Sequence, residues 1–316
     1  MDADLIIGID GGGTKTRVVV ATSQCQVLGE AVSGPSNYLR VGMPTALASI
    51  QFAVRKALES IDASLSRVSM VYAGLAGLRS QTNREEMQNA LKSILPNIQI
   101  EVNTDAAVGL AGATDGRPGI VIISGTGSVT FGLNKHGETW QAGGWGWVMG
   151  DEGSGYFISR RGLAAVVRAF DGRGPQTALT EKLCTSFGIC DPSNLPGIVY
   201  HPEVTTTDIA KYARAVTAAA NDGDEVAIDI LREAGIELGQ GIVAVIRKLE
   251  MQEDKFRVAY VGGAFRAGEF LLGPIRKMLL TVAPKAELGE PLFTPAVGAV
   301  KLALLSRNEP AMAAED

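Results

Sequence analysis

The chain of 316 residues is long enough for two packed domains, because a single hydrophobic core rarely grows beyond about 250–300 residues. Hydrophobic residues make up 46% of the chain and charged residues 20%, as in ordinary folded globular proteins. A net charge of -5 without a run of Lys or Arg argues against a nucleic-acid partner. With only His136 and His201, the chemistry is expected from carboxylates, hydroxyls, backbone amides and a bound ion.

The cellular location is predicted from what the sequence lacks. No stretch approaches the roughly 20 apolar residues of a membrane helix, and the apolar run Leu5 to Ile9 has no basic region before it and no cleavage site after it. The cysteines Cys25, Cys184 and Cys190 form no CxxC pair, which suits a reducing compartment. We therefore expect a cytoplasmic protein with no membrane partner.

The first third of the chain predicts a mixed sheet. Three short β-branched runs open it as an antiparallel meander, and amphipathic or capped segments then alternate with buried apolar runs. The expected strands are Leu5–Asp10, Arg17–Thr22, Gln26–Val32, Val68–Ala73 and Ile98–Asn103, with a helix over Pro44–Leu58 and a second helix opened by a Thr82–Glu85 capping box. This order predicts an α/β domain with helices packed on a mixed sheet.

The same pattern then begins again. Two strands, Gly119–Ser124 and Ser128–Leu133, surround a second glycine turn, and predicted helices precede a further strand at Phe256–Val261. Those helices cover roughly Gly153–Ala169, Thr206–Asn221 and Glu225–Lys248. A breaker at Thr114–Pro118 predicts domains over 1–117 and 118–316, with a final helix over about 296–306 that packs back on the first domain.

The first glycine turn is Asp10-Gly11-Gly12-Gly13-Thr14-Lys15-Thr16. It is not a Walker A loop, because Thr14 stands where that loop needs Lys and a β-branched run follows instead of a helix. Consecutive glycines let backbone amides approach a phosphate, and the threonines add hydroxyl donors. Asp10 can hold Mg²⁺ through water, since this ion keeps most of its waters. An ordinary hairpin turn is the alternative.

Two further glycine stretches favour the phosphate interpretation. Gly125-Thr126-Gly127 occupies the same place in the second hairpin, so the two turns are expected to face each other and clamp a triphosphate. Gly262-Gly263 ends a strand and suits close packing of an adenosine. Together these turns predict an ATP site.

Polar residues at two other places predict the acceptor site. Asp105 follows a strand, where it is either a helix N-cap or a carboxylate that accepts a substrate hydroxyl proton during phosphoryl transfer. The loop Gly143–Gly155 is too rich in glycine and tryptophan for a helix or strand; its Asp151 and Glu152 could bind sugar hydroxyls, and Trp145 or Trp147 could offer a ring face. The alternative is a packed loop in which Asp151 caps the next helix.

With these motifs in order, the chain resembles the BadF/BadG/BcrA/BcrD ATPase family, and within it the N-acetylglucosamine kinases. The matching segments are Asp10–Thr14, Ser36–Asn37, Thr104–Ala107, Ile123–Ser128, Gly143–Gly146, Met149–Ser154 and Val261–Gly262. The resemblance implies two ribonuclease-H-like (actin-like ATPase) domains, a homodimer and domain closure on substrate. It implies that Thr14 and Thr126 contact ATP phosphates and that Asp105 is the catalytic base. The sugar site it implies consists of Asn37, Asp105, Gly144, Trp145, Gly146 and Asp151.

The resemblance leaves the substrate open in one respect. Val129-Thr130 stands where animal N-acetylglucosamine kinases have Asn-Cys, so part of the acetamido environment differs. We predict an ATP- and Mg²⁺-dependent kinase of N-acetyl-D-glucosamine, with glucosamine or another hexosamine as the alternative substrate. A further alternative is an ATPase activator of a CoA-linked reductase or dehydratase, which needs iron–sulfur cysteines that Cys184 and Cys190 supply poorly.

Overall fold

The computed structural model describes residues 4–78 and 80–308. The chain divides into two compact units: residues up to Arg117 together with those from Pro291 onward, and Pro118–Glu290. The predicted second domain ran to residue 316, whereas the structure groups the chain from Pro291 onward with the first unit. Of that stretch, residues 309–316 lie outside the described residues.

The first unit is built on a five-stranded mixed sheet with the order β3-β2-β1-β4-β5. β1, β2 and β3 form an antiparallel meander, whereas β1, β4 and β5 run parallel, so the carboxyl ends of these three strands share one edge. The strands are β1 Leu5–Gly11, β2 Thr16–Thr22, β3 Val27–Ser33, β4 Val68–Leu75 and β5 Gln99–Thr104. The helices are α1 Tyr38–Val41, α2 Met43–Glu59, α3 Gln81–Ile94 and α4 Asp105–Thr114, with α12 Pro295–Asn308 at the end of the chain.

Alternating side chains of the first sheet bury two apolar faces. Ile7 and Ile9 pack with α2 and α3, while Ile6 and Tyr72 pack with α4 and α12. Gly8 allows α12 to lie directly on β1, because a Cβ at this position would overlap the carbonyl oxygen of Ala296. The sheet is therefore covered on both faces, and the strand ends, where Asp10 and Asp105 lie, are outside this packing.

The second unit repeats the plan with the order β10-β9-β6-β7-β8. β6, β7 and β8 form the antiparallel meander, and β6, β9 and β10 run parallel. The strands are β6 Gly119–Ser124, β7 Ser128–Leu133, β8 Thr139–Gly143, β9 Arg257–Val261 and β10 Glu287–Gly289. The helices are α5 Gly155–Phe170, α6 Leu179–Phe187, α7 Leu195–Val199, α8 Thr206–Ala210, α9 Ala213–Asn221, α10 Glu225–Lys248 and α11 Glu269–Val282. Two mixed sheets with flanking helices confirm the predicted α/β class.

Two local predictions differ from the structure. The helix α3 is capped by Ser80, whose hydroxyl accepts from the Asn83 amide at 3.1 Å, so Thr82 lies inside the helix and does not open it. The predicted helix Thr206–Asn221 is two helices, because the amides of Lys211 and Tyr212 bond three residues back and interrupt the α-helical pattern. Within the described residues, no helix is long and apolar enough to span a membrane.

Candidate active site

The first glycine turn is closed on itself and tied to the segment after β3. The Gly12 amide donates to the Lys15 carbonyl at 2.9 Å, and the Ser36 and Asn37 amides donate to the Gly12 carbonyl at 3.0 and 3.1 Å. The buried Thr16 hydroxyl bonds to the Ser36 hydroxyl at 2.8 Å. Thr14 and Lys15 remain exposed at the tip, so a hydroxyl and an ammonium group are available to an anion.

The glycines of this turn serve different purposes. A Cβ at Gly11 would overlap the side chains of Ser36 and Leu75, so this glycine is needed for packing. A Cβ at Gly13 would lie 3.0 Å from Nη1 of Arg40, which places a guanidinium group beside the turn. Arg40 was missed in the sequence because it belongs to the short helix α1, outside the glycine motif.

Asp10 and Asp105 lie at the same edge of the first sheet, where the parallel strands β1 and β5 end. Burial, with the negative charge of Asp105 as the second cause, raises the pKa of Asp10 to about 6, although Lys15 and Arg17 act in the opposite direction. The two carboxylates are therefore close enough for their negative charges to repel each other. A cation between them would relieve this repulsion.

Asp105 is not the cap of α4. The cap is Thr104, whose hydroxyl accepts from the Ala107 amide at 3.2 Å, and Asp105 is the first residue of the helix. Its Oδ1 accepts from the Ala106 amide at 3.0 Å, which orients the carboxylate. Asn37 has a capping role, since its Oδ1 accepts from the Leu39 amide at the start of α1.

The second glycine turn joins β6 to β7. The Gly125 amide donates to the Gly127 carbonyl at 2.9 Å, and Thr126 is exposed at the tip. Gly262 has φ +123°, and a Cβ there would overlap the carbonyl of Ser124, so this glycine packs directly against the turn. Gly263 faces open space, with nothing within 4 Å of an added Cβ.

The glycine- and tryptophan-rich loop is attached to this second turn. The Asp151 Oδ1 accepts from the Ser128 amide at 3.1 Å, and the hydroxyls of Ser124 and Ser128 donate to the carbonyls of Gly153 and Glu152 at 2.9 and 2.6 Å. Ser154 is the cap of α5, so Asp151 is not. The loop residues expected to bind sugar are thus fixed to a turn expected to bind phosphate.

The other side of the loop is open. Three of its glycines, Gly143, Gly144 and Gly146, have φ between +76° and +83°, a backbone shape that other residues rarely adopt. The side chain of Trp145 is 67% exposed, while Trp147 packs edge-on against Tyr156 at a centroid distance of 5.8 Å. Trp147 is itself 55% exposed, so both rings are accessible to a ligand, and Trp145 is the more exposed of the two.

Val129 and Thr130, the two residues that set the chain apart from the animal kinases it resembles, have different surroundings. Val129 is the neighbour of the loop, since a Cβ at Gly144 would lie 3.2 Å from its Cγ2. Thr130 is buried against α10, where a Cβ at Gly241 would lie 3.0 Å from its hydroxyl. Of the two residues, Val129 is the one that lies beside a predicted sugar residue.

A cavity of about 320 Å³ lies beside the second turn, within the second unit. It is bounded by Gly125, Thr126, Gly155 and Gly263, and three cationic side chains line it: Lys211, Arg214 and Arg266. Lys211 also pairs with Asp208 at 2.6 Å. Sequence patterns missed these cations, because they come from separate elements and none belongs to a glycine motif.

The residues around Asp10 fit a magnesium ion that keeps most of its water ligands. Asp10 offers a partly buried carboxylate whose pKa is raised first by burial and second by the negative charge of Asp105, and a cation would offset both costs of ionising it. The described residues contain no group of three His, Cys, Asp or Glu side chains placed to hold a metal. A single carboxylate bound through water is consistent with the prediction for Mg²⁺.

Two mixed sheets that each open with an antiparallel meander, with a glycine turn in the first hairpin of each, define the actin-like ATPase fold. The sequence model of the BadF/BadG/BcrA/BcrD ATPase family matches residues 7–303, and the chain belongs to this family. A solved structure from Chromobacterium violaceum, provisionally named an N-acetylglucosamine kinase, has a TM-score of 0.75 at 28% identity. The match covers 96% of this chain and 100% of that one.

Three curated relatives are similar over nearly their whole lengths. The N-acetylmuramic acid/N-acetylglucosamine kinase of Clostridium acetobutylicum is 34% identical over 96% of this chain and 98% of its own. The N-acetyl-D-glucosamine kinase of Dictyostelium discoideum is also 34% identical, over 98% of this chain and 100% of its own. The glucosamine kinase of Vibrio cholerae is 28% identical over 91% and 94%. The predicted family is confirmed.

Proposed function

We propose that this protein is an ATP-dependent amino-sugar kinase that transfers the γ-phosphate of ATP to the 6-hydroxyl of N-acetyl-D-glucosamine. The observation that carries the proposal is the pair Asp10 and Asp105 at the carboxyl ends of two parallel strands, close enough for the charge of one to raise the pKa of the other. The two relatives at 34% identity, both named N-acetylglucosamine kinases, support the acceptor.

Asp105 acts as the base in this proposal. As the 6-hydroxyl oxygen of the sugar attacks the γ-phosphorus, its proton passes to the Asp105 carboxylate and the bond to the ADP oxygen breaks. The pKa of the base need not be shifted, because positioning contributes most of the catalysis in phosphoryl transfer. Mg²⁺ held by Asp10 through water would neutralise charge on the phosphates.

The other predicted residues are proposed to bind the two substrates. ATP phosphates are assigned to the side chains of the two turns and to their amides other than those of Gly12 and Gly125, which bond within the turns. Adenosine is assigned to the glycines after β9 and the adjoining cavity. The ATP residues are Gly11, Gly12, Gly13, Thr14, Lys15, Gly125, Thr126, Gly127, Gly262 and Gly263. The sugar residues are Asn37, Asp105, Gly144, Trp145, Gly146 and Asp151.

A substrate panel tests the proposal directly. ADP release is measured with N-acetylglucosamine, glucosamine, glucose, N-acetylmannosamine and N-acetylmuramic acid, and phosphorus NMR locates the phosphate on the product. Asp105→Asn should lower kcat by about 10²–10⁴ with the fold intact. The matched control is Asp229→Asn on the exposed face of α10, which should leave kcat unchanged. Failure to phosphorylate any sugar, or near-normal activity of Asp105→Asn, would contradict the proposal.

Glucosamine is the second candidate acceptor, because a glucosamine kinase is among the relatives and Val129 replaces an amide side chain beside Gly144. The ratio of kcat/KM for N-acetylglucosamine and glucosamine decides between the two. We further propose that the protein is a cytoplasmic homodimer. Within each chain, the two compact units are proposed to be separate domains of the actin-like fold. Light scattering after size exclusion tests the assembly, and cell fractionation tests the location.

A further inference from the structure

The second-last residue of β5, the strand that leads to Asp105, is an asparagine whose side chain makes two hydrogen bonds. Oδ1 of Asn103 accepts from the Thr104 amide at 2.8 Å, and Nδ2 donates to the Tyr72 hydroxyl at 3.1 Å. A backbone amide can only donate, so the side-chain oxygen must point to Thr104 and the NH₂ group to Tyr72. Both the oxygen and the NH₂ group of the Asn103 side chain are therefore hydrogen-bonded within the first unit.

Tyr72 is a rigid anchor for this amide. Its side chain is 7% exposed, and it lies in β4 in register with Gly8 of β1 and Glu101 of β5, in the centre of the sheet. Burial raises the pKa of Tyr72, so the phenol keeps its proton and remains a neutral hydrogen-bonding partner. Through Asn103 the hydrophobic core is thus connected to the residue that precedes Asp105.

Close packing fixes the middle of α4. A Cβ at Gly74 would overlap Val108, and a Cβ at Gly298 of α12 would overlap the Val108 carbonyl, so the middle of α4 is held tightly by its neighbours. Asp105 lies one turn earlier and its side chain is exposed. The direction of its Cα–Cβ bond follows the backbone of Thr104, which is extended with φ -74° and ψ 156°, and its carboxylate also accepts from the Ala106 amide.

Two hydrogen bonds hold Thr104 in this conformation from opposite sides. Its hydroxyl accepts from the Ala107 amide inside the helix, and its own amide donates to Asn103. Thr104 is also in register with Leu75 of β4, so without the second bond the peptide plane before Thr104 is restrained by strand pairing alone and can tilt, which turns the Cα–Cβ bond of Asp105. An error of about 1 Å in the position of a base can cost on the order of 10²-fold in rate.

We propose that Asn103, anchored by Tyr72, is a positioning residue that sets the direction of the Asp105 carboxylate. The catalytic consequence rests on the proposed function, in which Asp105 takes the proton of the sugar hydroxyl. The residue does not touch substrate in this role. Its removal should therefore slow the chemical step while leaving substrate affinity nearly unchanged.

The kinetic test compares Asn103→Ala in two backgrounds. In the otherwise wild-type enzyme, kcat should fall about 10-fold, with KM for sugar and for ATP within about twofold. In the Asp105→Asn background, the same substitution should change the residual kcat by less than about twofold, because the group it positions is already lost. Tyr72→Phe should give a smaller loss, about threefold, that is not additive with Asn103→Ala. Gln99→Ala, at the other end of β5, is the matched control and should change nothing.

A second measurement does not depend on activity. Hydrogen exchange of the ligand-free protein should show faster exchange of the Thr104 to Ala107 amides in Asn103→Ala and unchanged exchange in the middle of α4. Equal losses of kcat in both backgrounds, a loss confined to KM, or unchanged exchange at Thr104 would overturn the inference. If wild type phosphorylates no sugar, the proposed function fails, and the exchange data alone decide whether Asn103 fixes this junction.

Discussion

The two glycine turns occupy the same position in two similar hairpins, but different neighbours hold them. The first turn is bonded to Ser36 and Asn37, which follow the third strand of its own meander. The second turn is bonded to the loop that follows β8, through Ser124, Ser128 and Asp151. The first therefore depends on local structure, and the second on a loop that also carries predicted sugar residues.

The charges around the turns differ as well. Lys15 belongs to the first turn, Arg40 lies beside its Gly13, and Asp10 precedes it with a raised pKa. The second turn contains no charged residue, and the Asp151 carboxylate accepts a bond from its Ser128 amide. Under the proposed function, the first hairpin would hold an ion and a phosphate, and the second would join a phosphate to the loop proposed to bind the sugar.

The largest effect is expected from replacing the glycine that packs on the second turn. Gly262→Ala places a Cβ against the backbone of Ser124 at a φ of +123°, and backbone atoms cannot move aside. The free energy of unfolding should fall by about 3 kcal/mol or more. Gly11→Ala in the first unit meets the side chains of Ser36 and Leu75, which can adjust, so a loss of about 1–3 kcal/mol is expected.

Urea unfolding of both variants measures this difference. Gly263→Ala is the matched control, because an added Cβ meets nothing within 4 Å, and its loss should stay below about 1 kcal/mol. If Gly262→Ala lowered the free energy of unfolding no more than Gly263→Ala does, Gly262 would not be packed closely against the second turn.

The next largest effect is a pH dependence of stability that comes from Asp10 at the first turn. The pKa of Asp10, raised from 3.8 to about 6, means that folding disfavours the ionised form. The folded state then binds more protons than the unfolded state between these values, so stability falls as the pH rises through this window. Asp10→Asn should therefore stabilise the ligand-free protein by about 1–2 kcal/mol at pH 7–8, less than the full shift implies because Asp10 is partly solvated.

The gain from Asp10→Asn should shrink towards zero near pH 4, where the wild-type carboxyl is protonated. Chemical unfolding at several pH values, without metal or nucleotide, measures this dependence. Asp229→Asn, on an exposed helix surface, should show no such gain. A stability difference that does not change between pH 4 and pH 8 would mean that Asp10 is not destabilised by burial and by Asp105.

Elements with strong local signals could be predicted from the sequence, and elements with weak signals could not. The helix Glu225–Lys248 was predicted with the bounds it has, because its apolar residues recur on one face, and the structure adds Asp224 as its N-cap. The strand β8 was not predicted, since its first three residues, Thr139 to Gln141, are all exposed and lack the alternation of a half-buried strand.

Contacts between distant residues explain what the sequence could not predict about the candidate site. The glycine motifs and Asp105 are visible as short patterns, and the family resemblance assigns roles to them. The bond from the Ser128 amide to Asp151 joins residues 23 positions apart, and no pattern indicates it. The cations Lys211, Arg214 and Arg266 meet at one cavity only because the fold brings α8, α9 and the segment after β9 together.

A smaller effect tests the attachment of the second turn to the loop. Ser128→Ala removes the 2.6 Å bond from the Ser128 hydroxyl to the Glu152 carbonyl, worth about 1 kcal/mol. Because the loop and the turn then move more independently, the Kd for sugar and the Kd for ATP should both rise, each about threefold to fivefold. Calorimetric titration with sugar and with a non-hydrolysable ATP analogue measures both constants.

The control for Ser128→Ala lies in the first unit. Ser33→Ala removes a similar bond, from the Ser33 hydroxyl to the Ser49 carbonyl at 2.7 Å, which joins β3 to α2. It should lower stability slightly and leave both binding constants unchanged. A change in the Kd for ATP alone in Ser128→Ala would show that the turn is not joined to the sugar site.

The smallest effect concerns the choice of sugar. Val129 lies beside Gly144, so Val129→Asn would place an amide group next to the loop that is proposed to hold the acceptor. If this position contacts the acetamido group, the ratio of kcat/KM for N-acetylglucosamine to that for glucosamine should rise about threefold to tenfold, which corresponds to one added hydrogen bond. Thr130→Val, at the next position but buried against α10, should lower stability without changing the ratio. An unchanged ratio in Val129→Asn would show that the acetamido group does not contact position 129.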